Sequence, residues 1–149
     1  MLPIVLRVTA LAALLALVPS KGVAAPSVHH LSGGGTASIS QVAMNVTIDG
    51  SGSASGSFEC LMAGRSAFVL GDFGLAHNMI VHARPSSGSV VGSDVTFAGT
   101  GSLMLDGRQK MSIHVQVTAD VATQSFRLTV IEVGTLPVES LLTGRLRLT

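Results

Sequence analysis

Apolar and polar positions alternate along most of this chain, and the period is two. Val42, Met44, Val46 and Ile48 fall on one side, with Ala43, Asn45 and Thr47 on the other. That is the pattern of a half-buried strand. Val95, Phe97, Gly99, Gly101, Leu103 and Leu105 alternate in the same way with Thr96, Ala98, Thr100, Ser102 and Met104. After Asp106-Gly107, Met111, Ile113, Val115, Val117 and Ala119 alternate with Ser112, His114, Gln116 and Thr118. These two runs predict a hairpin. A two-residue Asp-Gly turn would set Leu105 against Arg108 and Phe97 against Gln116, apolar against polar on both faces. A three-residue loop, Leu105-Asp106-Gly107, pairs Phe97 with Val115, Val95 with Val117 and Gly101 with Met111. It also places Gly107 in the left-handed conformation.

Shorter runs complete the reading. Ser57 to Ala63, Ser66 to Leu70 and His77 to Ala83 read as strands. Asp49 to Ser57 is a Gly/Ser loop, and Arg84-Pro85-Ser86-Ser87-Gly88 ends the strand before it. Phe126, Leu128 and Val130 alternate with Arg127 and Thr129; Leu142, Gly144, Leu146 and Leu148 alternate with Thr143, Arg145 and Arg147. Gly134-Thr135-Leu136-Pro137 reads as the turn between these two runs. Beyond the first residues, no spacing of three and four is sustained, so no helix is expected. The fold class predicted is all-β, an antiparallel β-barrel or β-sandwich of about seven or eight strands, preceded by a signal-peptide helix. Gly99 and Gly101 inside a strand favour a sharply curved sheet and hence the barrel.

The start of the chain breaks the alternation. Met1 to Arg7 form a short basic region, and Val8 to Val18 form an apolar run interrupted only by Thr9. Pro19 and Ser20 end it, and Lys21-Gly22-Val23-Ala24-Ala25 offers small residues to a signal peptidase. The run is well short of the ~20 residues that cross a bilayer as a helix. Residues 1–25 therefore read as a signal peptide cut after Ala24 or Ala25, and the expected location is secreted or periplasmic. Residues 26–41, with Ser32-Gly33-Gly34-Gly35-Thr36, read as a flexible Gly-rich lead-in, and 42–149 as a single all-β domain.

Composition narrows the function classes. The chain has nine Lys and Arg, and removing Arg7 and Lys21 leaves seven against eight acidic residues. A balance this close to neutral gives no electrostatic footprint for nucleic acid or an anionic membrane, and the mature domain is not expected to insert into one. The single Cys60 excludes an intramolecular disulfide. Phe58, Cys60 and Met62 share one strand face, so the thiol is expected in the core.

Several segments together resemble a bacterial family of exported all-β domains, the post-COAP domains. They are Gly33-Gly34-Gly35-Thr36, Val81-His82, Val95-Thr96-Phe97-Ala98-Gly99-Thr100-Gly101, Ser125-Phe126-Arg127-Leu128-Thr129-Val130 and Leu142-Thr143-Gly144-Arg145-Leu146-Arg147-Leu148. The chain departs from that family in having no Tyr or Trp and no acidic Gly-Pro turn between its last strands. The resemblance implies export and fold. The family has no assigned activity, so it adds no site residues.

Five histidines invite a metal reading and do not sustain it. His29 and His30 lie in the expected lead-in, His77 and His82 face opposite sides of one strand, and His114 sits on a polar face. Glu59, Asp72, Asp94 and Glu132 are the carboxylates that would have to converge in space for glycoside chemistry. Asp106 and Asp120 lie at the two ends of one strand, too far apart to act jointly. There is no Gly-x-Ser-x-Gly elbow and no phosphate loop. Asn45-Val46-Thr47 is a glycosylation sequon in mid-strand. No catalytic, cofactor-binding or metal-binding residue is assigned, and no cofactor is expected. Two functions remain: a non-enzymatic structural or interaction module with a protein partner, or a small barrel that binds an apolar or amphipathic ligand inside. They differ in whether side chains fill the interior.

Overall fold

The computed structural model describes residues 27–64 and 78–149. The expected signal peptide, the predicted strand Ser66–Leu70, Asp72 and His77 lie outside these residues. The rest is all-β and contains ten strands. They are β1 (His29–Thr36), β2 (Gln41–Ile48), β3 (Ala54–Met62), β4 (Met79–Val91) and β5 (Asp94–Leu105), followed by β6 (Gln109–Asp120), β7 (Ser125–Val130), β8 (Gly134–Thr135), β9 (Glu139–Ser140) and β10 (Arg145–Leu148). All pairings are antiparallel, in the order β10-β1-β2-β3-β4-β5-β6-β7-β8, and β9 also pairs with β7. The sheet curls into a half-barrel. Its strand number exceeds the seven or eight expected, because the Gly-rich lead-in and two short segments near the C-terminus also pair.

That lead-in is β1, bonded to β2 on one edge and β10 on the other. Gly33, Gly34 and Gly35 have φ of 129°, 153° and 155°, a region closed to most side chains. Residues this unsuited to an ordinary strand read as a linker, yet only they allow so close an approach of three backbones.

β4 is also longer than expected and continues through Pro85 to Val91. Pro85 has no N–H for the ladder, and the register shifts between Pro85 and Ser87. A bulge at that point lets a proline stand inside a strand. β3 likewise begins at Ala54, which shortens the Gly/Ser loop.

In the hairpin the faces are as expected but the register is displaced by two residues. Phe97 pairs with Val117, Val95 with Ala119, and Gly101 with Ile113 rather than Met111. Asp106 (φ 50°) and Gly107 (φ 68°) both adopt positive φ, and the Arg108 N–H bonds the Leu105 carbonyl at 3.0 Å. This is a tight two-residue turn. Arg108 is then an extra residue, so that Leu105 pairs with Gln109 and the apolar faces stay aligned.

The concave side is filled. Met44, Val46, Phe58, Cys60, Met62, Met79, Val81, Val95, Phe97, Leu103, Val117, Leu128 and Leu146 are among its buried residues. The Phe58 and Phe97 rings meet edge to face at 5.8 Å. Leu142, expected to point inward, is exposed, because the chain there is still crossing towards β10.

That crossing joins the ends of the sheet. β9 pairs with Ser125 and Phe126 of β7, and the Leu142 and Thr143 N–H groups then bond the Thr36 carbonyl at the end of β1. Gln124 completes the link as a surrogate strand. Its Oε1 accepts the Leu146 N–H at 2.7 Å, and its Nε2 donates to the Leu146 carbonyl at 3.1 Å. The β10 edge is thereby capped where it would otherwise stand open.

Candidate functional site

The outer face of β3–β6 forms an open groove of about 1080 Å³. Its origin is visible on the opposite face. Beneath it lie Ala83, Gly99 and Gly101, and the absence of a side chain at the two glycines lets β4 and β5 approach closely there. A Cβ on Gly101 would run into the His82 carbonyl and lie 2.8 Å from the Ala83 Cα. Small inner residues thus dish the outer surface.

Strand register sets polar side chains in rows across this groove. Glu59, His82, Ser102 and Ser112 are successive cross-strand partners on β3, β4, β5 and β6. In the next row Arg84, Thr100 and His114 are partners on β4, β5 and β6. His82 Nδ1 lies 3.3 Å from Glu59 Oε1, with both side chains more than half exposed (51% and 59%). His114 Nδ1 lies 2.6 Å from Glu132 Oε1, and the Glu132 carboxylate also accepts the His114 backbone N–H at 2.9 and 3.0 Å. Lys110 and Arg84 stand on the walls without an ion pair among the described residues.

Hydrogen bonds from the His114 ring and then its backbone hold the Glu132 carboxyl below its ordinary value of 4.5. A carboxyl whose pKa is lower in the folded state adds stability above its unfolded value and loses it as pH falls through the folded one. Unfolding midpoints measured in urea from pH 6 downwards should therefore fall below about 4.5. His114→Ala should bring the Glu132 carboxyl back towards its ordinary value, visible in an NMR titration of its side-chain carbonyl. An unchanged Glu132 titration in that variant would refute the assignment. Asp49 and Asp120 shift the same way, through the Ser51 hydroxyl and the Thr123 hydroxyl respectively, each in its own loop.

The groove is lined by Glu59, His82 and His114, and Glu132 is bonded to His114 from outside that lining, so the four form two separate pairs. Glu59 and His114 are three strands apart, roughly 14 Å at ~4.8 Å per strand, with Glu132 beyond His114. Carboxylate pairs that cleave glycosides lie at most about 9.5 Å apart. Asp94 is at the far end of β5, opposite Asp120. The row Glu59–His82–Ser102 has the acid, base and hydroxyl of a hydrolytic triad in order. No hydrogen bond joins His82 to Ser102, so the nucleophile–base link is missing. Among the described residues no three His, Cys, Asp or Glu side chains gather around one point. His29 and His30 belong to β1, where His30 Nδ1 meets the Thr47 hydroxyl at 3.1 Å. Asn45 of the sequon is exposed in mid-β2.

Cys60 is buried beneath β3, as the alternation predicts. Burial, with the nearby Glu139 charge, pushes its thiol up to about 12, and a hydrogen bond with Ser40 offsets only part of that. Such a thiol is a core side chain and not a nucleophile. Glu139 itself escaped the sequence reading. It is 1% exposed on β9, and its Oε2 accepts the Ile39 N–H at 3.1 Å and the Ser40 hydroxyl at 2.8 Å. Its Oε1 has no partner. Nothing in Val138-Glu139-Ser140 signals an inward acid, because its exposed neighbour Val138 inverts the usual pattern.

The fold and groove define a curled antiparallel half-barrel with a filled concave side and a polar outer trough. Comparison with family models, with curated proteins and with solved structures finds no match to this chain.

Proposed function

We propose that this chain is an exported, non-enzymatic β-domain that acts as a structural or interaction module outside the cytoplasm. The observation that carries this reading is the filled concave side. Phe58, Phe97, Met62, Met79 and Leu103 occupy the space that a ligand-binding barrel would leave open. This weighs against the alternative of an apolar ligand held inside. A module meets partners through its surface, and the β3–β6 groove gathers hydroxyl and charged groups on one such surface. The apolar run Val8 to Val18, followed by Val23-Ala24-Ala25, supports export through a signal peptide, and the resemblance to post-COAP domains agrees with it.

The test combines two measurements on the purified protein. Native mass spectrometry is expected to show the bare polypeptide mass, with no retained lipid or other apolar molecule. A broad hydrolase and lyase panel is expected to show no turnover. A retained apolar ligand would favour the barrel alternative. Turnover abolished by Glu59→Ala, His82→Ala or His114→Ala, with circular dichroism unchanged, would replace the proposal with an enzyme.

A further inference from the structure

β6 is longer than the strand that covers it. β7 pairs only with Val115 to Asp120, so that among the described residues Gln109 to Ile113 form an open sheet edge. The direction of its backbone groups follows from His114. The His114 carbonyl accepts the Ile131 N–H at 2.9 Å, and its N–H bonds the Glu132 carboxylate, so both groups point towards the β7 side. With a period of two, the N–H and C=O of Ser112 and Lys110 point the same way. No hydrogen bond from a described residue reaches them there. Met111 belongs to the inner, apolar face, opposite Leu103, yet is 38% exposed, with no strand of the described residues beside it.

We propose that this edge pairs with the same edge of a second copy of the chain, antiparallel about Met111, to form a two-fold symmetric dimer. Three symmetric registers keep the outward groups of Lys110 and Ser112 bonded. Centring on Lys110 sets two lysines against each other, which is unfavourable for directly opposed like charges. Centring on Ser112 needs the His114 N–H and carbonyl, which Glu132 and Ile131 already occupy. Centring on Met111 leaves neither fault. Lys110 of each copy then pairs with Ser112 of the other, Gln109 with Ile113, and the two exposed Met111 side chains cover one another on the inner face.

The charges beyond the paired segment complement each other as well. In this register Arg108 of one copy arrives opposite His114 of the other, where the Glu132 carboxylate sits. The guanidinium of Arg108, exposed at the β5–β6 turn, meets that carboxylate at both ends of the dimer. The outer faces of both copies then join into one continuous trough. Five paired residues make a small interface, so the dimer is expected to be a reversible one, populated at micromolar or higher concentration.

Sedimentation velocity over a concentration series tests this on the purified protein. The wild type is expected to shift from monomer to dimer, and hydrogen exchange at the Lys110 and Ser112 amides to slow as the dimer forms. Ser112→Pro removes an outward N–H without taking an internal bond and should leave only monomer. Arg108→Glu, at an exposed turn, should weaken association roughly tenfold or more. A wild type that stays monomeric throughout would overturn the proposal. So would a dimer that both variants retain, or exchange protection elsewhere than at Lys110 and Ser112.

Discussion

Replacing Gly33 with alanine is expected to remove about 3–5 kcal/mol of stability, a large share of what a domain of this size has. Two effects add. The residue has φ of 129°, where an L side chain is strained by about 1–3 kcal/mol. Its Cβ would also fall on the Arg145 carbonyl of β10, with the Leu146 Cα only 3.1 Å away. Both obstacles are backbone, so no side chain can rotate to make room, and β10 must move off β1. Gly92→Ala separates the two effects. Gly92 has φ of 61° at the β4–β5 turn, and a Cβ there meets nothing within 4 Å. Only the left-handed conformation is penalised, by about 1 kcal/mol. Urea unfolding of the two variants gives the comparison. Equal losses would mean that β1 and β10 are not held as close as this packing requires.

The same glycines mark where sequence reasoning stopped. Period-two alternation identified β2 and β7, and β6 from Ile113 to Ala119, because one face of each is buried over that stretch. It also fixed the faces of the β5–β6 hairpin, since a shift by one residue would have exposed Phe97 and Val117. A shift by two leaves every face intact, so pattern alone could not choose between Phe97–Val115 and Phe97–Val117. The turn decided it: Asp106 and Gly107 both take positive φ, as an Asp-Gly turn requires, and Arg108 follows as an extra residue that no apolar pattern announces. β1 and the second half of β4 were hidden by Gly33-Gly34-Gly35 and by Pro85, residue types that ordinarily interrupt strands.

The groove was legible residue by residue but not as a site. Glu59, His82, His114 and Glu132 stand out in the sequence as titratable side chains, His114 on a polar face, and each lies on the outer surface. Their pairing depends on register across four strands and on the return of the chain after β7, which local periodicity does not encode. Gln124 and Glu139 were invisible for a related reason. Each uses a side chain in place of a strand partner, Gln124 on the Leu146 backbone and Glu139 on the Ile39 N–H. Substitution of backbone pairing by side-chain pairing leaves no trace in an apolar pattern.

Glu139 is where that substitution has its largest consequence. Its carboxylate holds the Ile39 N–H and the Ser40 hydroxyl of the β1–β2 connection from a strand nearly a hundred residues away in sequence. Two opposing effects meet at this side chain. Burying a carboxylate with Oε1 unpartnered is costly, and its removal relieves that cost. Against this, Glu139→Ala strands the part-buried Ile39 N–H and leaves the buried Ser40 hydroxyl only the weak acceptor Cys60, at about 1–3 kcal/mol each. It also opens a void beside Cys60. The stranded donors outweigh the relief, and a net loss of about 2–4 kcal/mol is expected. Glu139→Gln keeps one oxygen for both donors and replaces the unpartnered charged oxygen with a neutral amide. Its expected cost is below about 1 kcal/mol. Chemical denaturation of wild type and both variants at one pH measures the difference. Equal loss in the two would show that the negative charge, rather than its hydrogen bonds to Ile39 and Ser40, is what this end of the half-barrel depends on.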